Sequence, residues 1–302
     1  MKAAVLATAV VIALSQSPVL RPDPPHKCDD CDAWNRPYEP FKVFGNTYYV
    51  GAEGVSAVLV TGSAGSILLD GGLPQTAAVI DANIRTLGFR TEDVELIVNS
   101  HAHYDHAGGI NALQRLSGAV VAASPEGRRA IEQGGPVADD PQFGFGREAN
   151  GFPAVKPVRA VADGETLRVG DLAITAHLTP GHTPGATTWS WRSCVGSTCR
   201  SIVYADSLNA VSDDSFRFTA SPARIAAFRA SIAKVAALPC DIILSVHPDG
   251  TDMDGKVKKR RRQPTPDPFV TPNGCRAYAK GAAARLDARI AEETKKKGPA
   301  PK

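Results

Sequence analysis

The chain has 302 residues, 43% of them hydrophobic and 22% charged, a composition that suits a large packed core and excludes general disorder. Its formal net charge of +3 is misleading, because the runs KVKKRRR (256–262) and KKKGPAPK (295–302) hold ten basic residues and no acid, leaving 24 basic against 31 acidic residues elsewhere. Basicity confined to two short runs excludes a broad nucleic-acid-binding face.

The chain opens with one Lys, an apolar run from Ala3 to Leu14 and then small residues. That run is too short to span a bilayer as a helix and reads as a signal peptide over residues 1–17, which implies a periplasmic or secreted protein. Residues 18–40, rich in Pro and Asp and carrying Trp34, read as an extended surface lead-in. A single domain over 41–294 and a basic tail over 295–302 follow. Its first strands are FKVFGNTYYVG, with a hairpin turn at Gly45-Asn46, then VSAVLVT and GSILLDGG. Residues 75–88 place Ala77, Ile80, Ile84 and Leu87 at helical spacing, and Gly88 ends the run. The apolar run at 93–100 reads as a buried strand, AGGINALQRLSG as a helix, and 119–123 as the next strand. From Asp139 to Pro157 the chain is rich in Gly and Pro, and a loop of that length points to function or mobility. Strands return at LRVGDLAITAHLTP, ATTWSW and SIVYADS. A helix at 222–237, a buried strand at 241–247 and a helix at 277–293 complete one domain, with two sheets inside and helices outside.

Export makes the six cysteines legible as disulfides. They allow fifteen connectivities; proximity and context pair Cys28 with Cys31, Cys194 with Cys199, and Cys240 with Cys275. The last pair would close a loop worth about 3–4 kcal/mol in the chain-entropy treatment. Cys28-x-x-Cys31 has the spacing of a redox pair but no thioredoxin-like context after it, so it reads as a small structural bridge.

NSHAHYDHAGG (99–109) spends three of the chain's seven histidines within six positions, beside an aspartate. Imidazole and carboxylate are the groups that zinc-type metals prefer, and three or four of them on a rigid frame make a site. His101 and His103 lie two apart at a strand end, so both can point one way. Asp105 and His106 follow as the chain turns into a helix, where they can face a second ion. His182, in the Pro-Gly turn of TPGHTPG, and His247, ending DIILSVH, also stand just past strands. His26 and His177 do not share that placement and read as structural.

The order Asp70-Gly71, His101-x-His103-x-Asp105-His106, His182, Asp206, His247 resembles the metallo-β-lactamase superfamily, from about Phe41 to the C-terminus. The lead-in AWNRPYEPFKVFGNTYYVG, together with SHAHYDHAGG, TPGHTPGATTWSW, YADSL and the LPCD…C pair, is similar to class B, subclass 3 enzymes. The resemblance implies an α/β fold, an αββα sandwich of two mixed sheets flanked by helices, with two Zn2+ ions at one edge. It assigns His101, His103 and His182 to the first zinc and Asp105, His106 and His247 to the second. Ser207 would hydrogen-bond near the second zinc, Asn209 would meet the substrate carboxylate, and Asp70 would orient a ligand. Asp105 is also the candidate proton carrier. The implied reaction is hydrolysis of the β-lactam amide of penicillins, cephalosporins and carbapenems by a metal-bound hydroxide, conferring antibiotic resistance, in a monomer with no nucleic-acid partner and no membrane span beyond the export signal.

Two departures qualify the resemblance. Residues 208–220 contain no Tyr, so stabilisation of the carbonyl oxygen would rest mainly on zinc. The KVKKRRR insertion after His247 is unusual and reads as a solvated basic loop. The 139–157 segment, with Phe143, Phe145 and Phe152, reads as a flexible apolar wall over the substrate. The rival enzymatic reading is a lactonase or glyoxalase II-like thioesterase of the same fold, for which Asp206 would be a bridging carboxylate. A non-enzymatic zinc- or nucleic-acid-binding protein is the other rival, and six ligands around an open centre exceed what a structural zinc needs.

Overall fold

The computed structural model describes residues 19–295. The expected signal peptide over 1–17 and all but the first residue of the basic tail lie outside the described residues. The lead-in contains one helical turn, α1 (Cys31–Trp34), before the first sheet begins.

Seven strands form that sheet in chain order: β1 (Phe41–Phe44), β2 (Thr47–Tyr49), β3 (Val58–Gly62), β4 (Gly65–Leu69), β5 (Val94–Val98), β6 (Val120–Ala123) and β7 (Val158–Ala160). Pairing is antiparallel from β1 to β4 and parallel from β4 to β7. The change falls where helical crossovers enter, since parallel neighbours need a long connection. These are α2 (Thr76–Thr86) before β5, then α3 (Tyr104–Ala107) and α4 (Ile110–Ser117) before β6, then α5 (Pro125–Gln133) and α6 (Gly146–Asn150) before β7.

The second sheet runs in the order β12-β11-β10-β9-β8, from β8 (Thr166–Val169), β9 (Leu172–Leu178), β10 (Thr187–Val195), β11 (Thr198–Ala205) and β12 (Ile242–Ser245). Only β11 and β12 are parallel, and α7 (Pro222–Ala237) connects them. Two further helices, α8 (Met253–Arg262) and α9 (Gly274–Lys295), end the described chain.

Side-chain alternation sorts residues into layers. Ile202 and Tyr204 of β11 enter the core between the sheets, beside Val58, Leu69, Val98 and Trp189. Val203 and Ala205 turn outward onto Phe228, Ile232 and Val235 of α7 and Leu286 of α9. On the other side Leu68, Ile97 and Val121 meet Ile80, Ile84, Leu113 and Ile131 of the first helical layer. The architecture is therefore α/β, an αββα sandwich of two mixed sheets flanked by helices. No helix among the described residues is long and apolar enough to cross a membrane.

The three disulfides pair Cys28–Cys31, Cys194–Cys199 and Cys240–Cys275. Cys194 and Cys199 are directly opposite on β10 and β11, which places their Cα atoms 4.0 Å apart.

Three expectations need correction. KVKKRRR is not a loop. It lies in α8, where Met253 and Val257 are buried one turn apart and Arg260 continues that face. The Arg260 guanidinium stacks 4.2 Å over Phe269, makes three hydrogen bonds to Asp267, and donates to the carbonyls of Lys42 and Val43. The 139–157 segment is not a bare loop either, since it holds a 3-10 turn at Phe143–Phe145 and α6. Phe152 packs in the helical layer at 7% exposure, so only Phe143 and Phe145, half exposed, remain as a wall.

Candidate metal centre

Six ligand-type side chains meet where strands end. β4 leads into Asp70, β5 into His101, β9 into the His182 turn, β11 into Asp206 and β12 into His247. Outside the carboxyl ends of strands is where α/β sheets commonly bind ligands. The two sheets are tied together at this edge. Trp189 Nε1 donates to the Asn99 carbonyl at 3.0 Å, the Thr187 N–H donates to Ser100 O at 2.7 Å, and the Ser56 N–H donates to Val246 O at 2.9 Å. Close backbone approach completes the frame. A Cβ on Gly109 would lie 2.2 Å from the Gly71 carbonyl oxygen, and one on Gly181 would lie 2.3 Å from the Phe228 ring.

Among the described residues, two sets of side chains could hold a metal ion. These are His101, His103 and His182, and then His101, Asp105 and His106, each set with ligand atoms within 4.8 Å of one another. His247 falls in neither set, yet its Nε2 lies 3.3 Å from both Asp105 Oδ2 and His106 Nε2. Asp105 Oδ2 also lies 3.0 Å from His106 Nε2. The expected residues are thus in one cluster, with His101 central to both sets. The ring centroids of His101 stand 4.9, 4.7 and 4.3 Å from those of His103, His182 and His106.

The imidazoles divide their two nitrogens. His101 Nδ1 is 2.7 Å from Asp206 Oδ1, His182 Nδ1 is 2.9 Å from the Asn209 carbonyl, and His247 Nδ1 is 2.9 Å from the Gly54 carbonyl. His103 turns Nε2 to Asp140, at 3.2 Å, and keeps Nδ1 toward the cluster, 3.5 Å from Gln142 Nε2. Metal-binding histidines commonly anchor one nitrogen on a carboxylate or carbonyl in this way. The other nitrogen is left without a protein partner in the clearest case, His101 Nε2, which is fully buried. Buried polar atoms rarely remain unsatisfied without reason.

Charge supports the same fit. Asp70, Asp105, Asp140 and Asp206 are buried, and among the described residues their ion-pair contacts are to histidines, with no Lys or Arg. Burial, then the neighbouring His106, His182 and His103, holds His101 well below the usual imidazole range. Burial likewise pushes His182 down to about 3. Burial and the charge of Asp70 push Asp206 well above the usual carboxylate range. Burial opposes ionisation of Asp105 too, but His106 and His247 outweigh it and hold that carboxyl well below its ordinary range. Four buried carboxyl groups with no Lys or Arg beside them lack a full counter-charge, and a divalent metal ion supplies it.

Asp70 meets the expectation of an orienting group by an indirect route. Its backbone adopts a left-handed conformation, φ +61°. Its carboxylate accepts from Asn99 Nδ2, the Ser100 N–H, Ser100 Oγ and Tyr204 Oη. That fixes the strand end that carries His101, while His106 Nδ1 stays 3.8 Å away. Ser207 is buried, next to Asp206 in the chain. Asn209 contributes its backbone carbonyl to His182, and its side-chain oxygen has no partner. Asp206 belongs to neither metal set and orients His101 instead.

Sequence reasoning missed Asp140, which holds His103, and Gly54, which holds His247. It also missed Trp34, whose ring centroid lies 5.3 Å from that of His247. Their sequence separations of 37, 193 and 213 residues left no local signal. His26, read as structural, stacks on Tyr104 at 4.0 Å and trades two hydrogen bonds with Gln75.

Comparison with known proteins agrees with this geometry. The metallo-beta-lactamase superfamily model matches residues 50–194. Rm3 metallo-β-lactamase is 46% identical, with a TM-score of 0.86 over 89% of this chain and 99% of that one. MEM-A1, a subclass B3 metallo-β-lactamase from a soil metagenome library, is 47% identical, with a TM-score of 0.83 over 87% of this chain and 100% of that one. A curated protein of Aquifex aeolicus (strain VF5), described as uncharacterized, is 32% identical over 89 residues, which span 30% of this chain and only 39% of that protein. The sandwich, the clustered histidines and near-complete coverage of relatives above 45% identity lead to one assignment: the chain belongs to the metallo-β-lactamase superfamily, as a hydrolase most like its subclass B3 members.

Proposed function

We propose that this protein is an exported zinc enzyme that hydrolyses the amide bond of β-lactams, penicillins, cephalosporins and carbapenems among them, and so confers antibiotic resistance. The observation that supports this reading is the pair of ligand sets, His101–His103–His182 and His101–Asp105–His106, with His247 Nε2 3.3 Å from both Asp105 and His106. His101, His103 and His182 would hold one ion, and Asp105, His106 and His247 a second. A bound zinc lowers the pKa of water toward neutrality and polarises a carbonyl oxygen.

The chain's own groups do the rest. Asp206, Asp140 and the carbonyls of Asn209 and Gly54 lock the imidazoles in register, so little reorganisation accompanies reaction. Asp105, held between His106 and His247, would carry a proton to the nitrogen released when the amide opens. The Asn209 side chain would meet the substrate carboxylate, and Ser207 stands beside it in the chain. Phe143 and Phe145 offer an apolar wall. The lactonase and thioesterase reading calls on Asp206 as a bridging carboxylate, but Asp206 belongs to neither set of metal-holding side chains and turns Oδ1 to His101.

The test is turnover of a carbapenem and a penicillin by the mature protein loaded with zinc, with and without a chelator. Chelator-sensitive opening of both is the expected result. Two bound ions with no β-lactam opened would refute the substrate assignment, and lactone and thioester substrates would then be tried.

A further inference from the structure

The two halves of the metal cluster are supported from different places. His101, His103 and His182 lean on Asp206, Asp140 and the Asn209 carbonyl, all from the main domain. His247 leans on the Gly54 carbonyl at 2.9 Å, and Gly54 is itself held by the lead-in, its N–H donating to the Trp34 carbonyl at 3.1 Å. A single residue, Gly54, therefore connects Trp34 to a ligand imidazole through the peptides on either side of its Cα. The Trp34 ring adds a tilted contact to His247, and a Cβ on Gly54 would lie 2.4 Å from Trp34 Cδ1, so the fit leaves no slack.

The lead-in segment that carries Trp34 is short and stapled. The Cys28–Cys31 bridge closes immediately before it, with the Cys31 N–H on the Cys28 carbonyl and the Trp34 N–H on Asp30 O. Asn35 accepts from Thr76 Oγ1 at 2.8 Å, and the Glu53 N–H donates to Arg36 O at 2.9 Å. A second contact touches the same half of the cluster, the His26 ring on Tyr104, between His103 and Asp105. A one-turn helix has no stability of its own, so the staple and these few bonds hold it in place. His247 is also the most exposed of the ligand histidines that form ion pairs, its side chain 27% exposed against 5% or less for His101, His103 and His106.

We propose that the disulfide-stapled lead-in is a positioning device for His247, acting through Trp34 and the Gly54 peptide, and that it sets the affinity of the second metal site independently of the first. Trp34, Cys28 and Cys31 are positioning residues under this proposal. It rests on the two-ion reading given above.

The experiment is titration of metal-free full-length mature protein with Co2+, followed by its absorption spectrum, and with Zn2+ against a chromophoric chelator. Wild type, Trp34→Ala, Trp34→Phe and the Cys28→Ser/Cys31→Ser double variant would be compared, with thermal melts to check folding. Wild type should take two equivalents. In Trp34→Ala and in the double cysteine variant the second equivalent should bind roughly 10–100-fold more weakly, the range expected when a ligand's support is lost. The first equivalent should keep its affinity and spectrum, and Trp34→Phe should recover most of the loss. Equal affinities in all four proteins, or equal weakening of both equivalents, would overturn the proposal and leave the two-ion reading standing. Uptake of a single equivalent by wild type would overturn both. Should those variants fail to fold, Trp34→Leu, which keeps an apolar side chain against Gly54 but removes the ring contact to His247, gives the same comparison. An unchanged second equivalent there would again overturn it.

Discussion

The two halves of the metal centre use one kind of ligand and two kinds of support. On the His101–His103–His182 side, buried carboxylates and a carbonyl of the main domain face the outer imidazole nitrogens. On the Asp105–His106–His247 side, Asp105 is sealed, but His247 reaches outward to a backbone carbonyl held by a surface segment. A buried carboxylate oriented by the core keeps its position as long as the domain is folded. A carbonyl held by a one-turn helix keeps it only as long as a local unit stays closed, and local units open at lower free energy than the whole.

The largest expected effect lies on the interior side. His182→Ala removes one of three nitrogens in a rigid set, and zinc-dependent turnover should fall by more than about 100-fold, beyond the range for support residues alone. Steady-state rates at saturating zinc check this, and a loss below tenfold would place His182 outside the ligand set. Asp206→Asn comes next. It keeps the shape but puts a weaker-accepting amide opposite His101 Nδ1, so affinity for the first equivalent should drop roughly 10–100-fold. Chelator competition measures it, and a larger effect on the second equivalent would contradict the division between the halves. Metal removal follows. At free zinc 100 times the dissociation constant, one site contributes about 2.7 kcal/mol. With roughly 2–4 °C per kcal/mol for a domain near this size, chelation should lower the midpoint of melting by roughly 5–10 °C per occupied site. Calorimetry with and without chelator decides it, and an unchanged midpoint would remove the metal from the folded state altogether.

Much of this centre was legible in the sequence because ligand spacing is local. His101, His103, Asp105 and His106 sit within one strand end and one helical turn, and the Pro-Gly turn announces His182. The fold was legible for a similar reason, since apolar runs and periodicity mark β5, α2 and α7 directly. α5 was missed although its signals were present: Ser124 caps it through the Gly127 N–H, Pro125 stands at its first position and Gly134 ends it with φ +73°. The basic run was misread because its charge hid a helical face; Met253, Val257 and Arg260 share that face, and the cation of Arg260 is satisfied by an aromatic ring, a carboxylate and two carbonyls. Phe152 could not be told from Phe143 and Phe145, since neither period nor spacing says which loop aromatic turns inward. The support groups were the least legible part. Asp140, Asp206, Gly54 and Trp34 act at distances in sequence that only the packed sandwich closes.

The smallest expected effect lies on the lead-in side, and it separates backbone from side-chain anchoring. Arg36 and Glu53 form a two-pronged ion pair, Nε to Oε2 at 2.6 Å and Nη2 to Oε1 at 2.8 Å, next to Gly54. By appearance this pair clamps the lead-in to the loop that holds His247. Its side chains are 60% and 46% exposed, however, and exposed pairs of this kind contribute little because water screens them and long side chains lose freedom on pairing. The segment is instead joined through its backbone, by the Glu53 N–H on Arg36 O and the Gly54 N–H on Trp34 O. Arg36→Gln should therefore leave the affinity for both metal equivalents unchanged within error, at low and at high salt. A loss confined to the second equivalent that grows as salt is lowered would mean that the surface charge pair, rather than the peptide relay through Gly54, holds His247 in place.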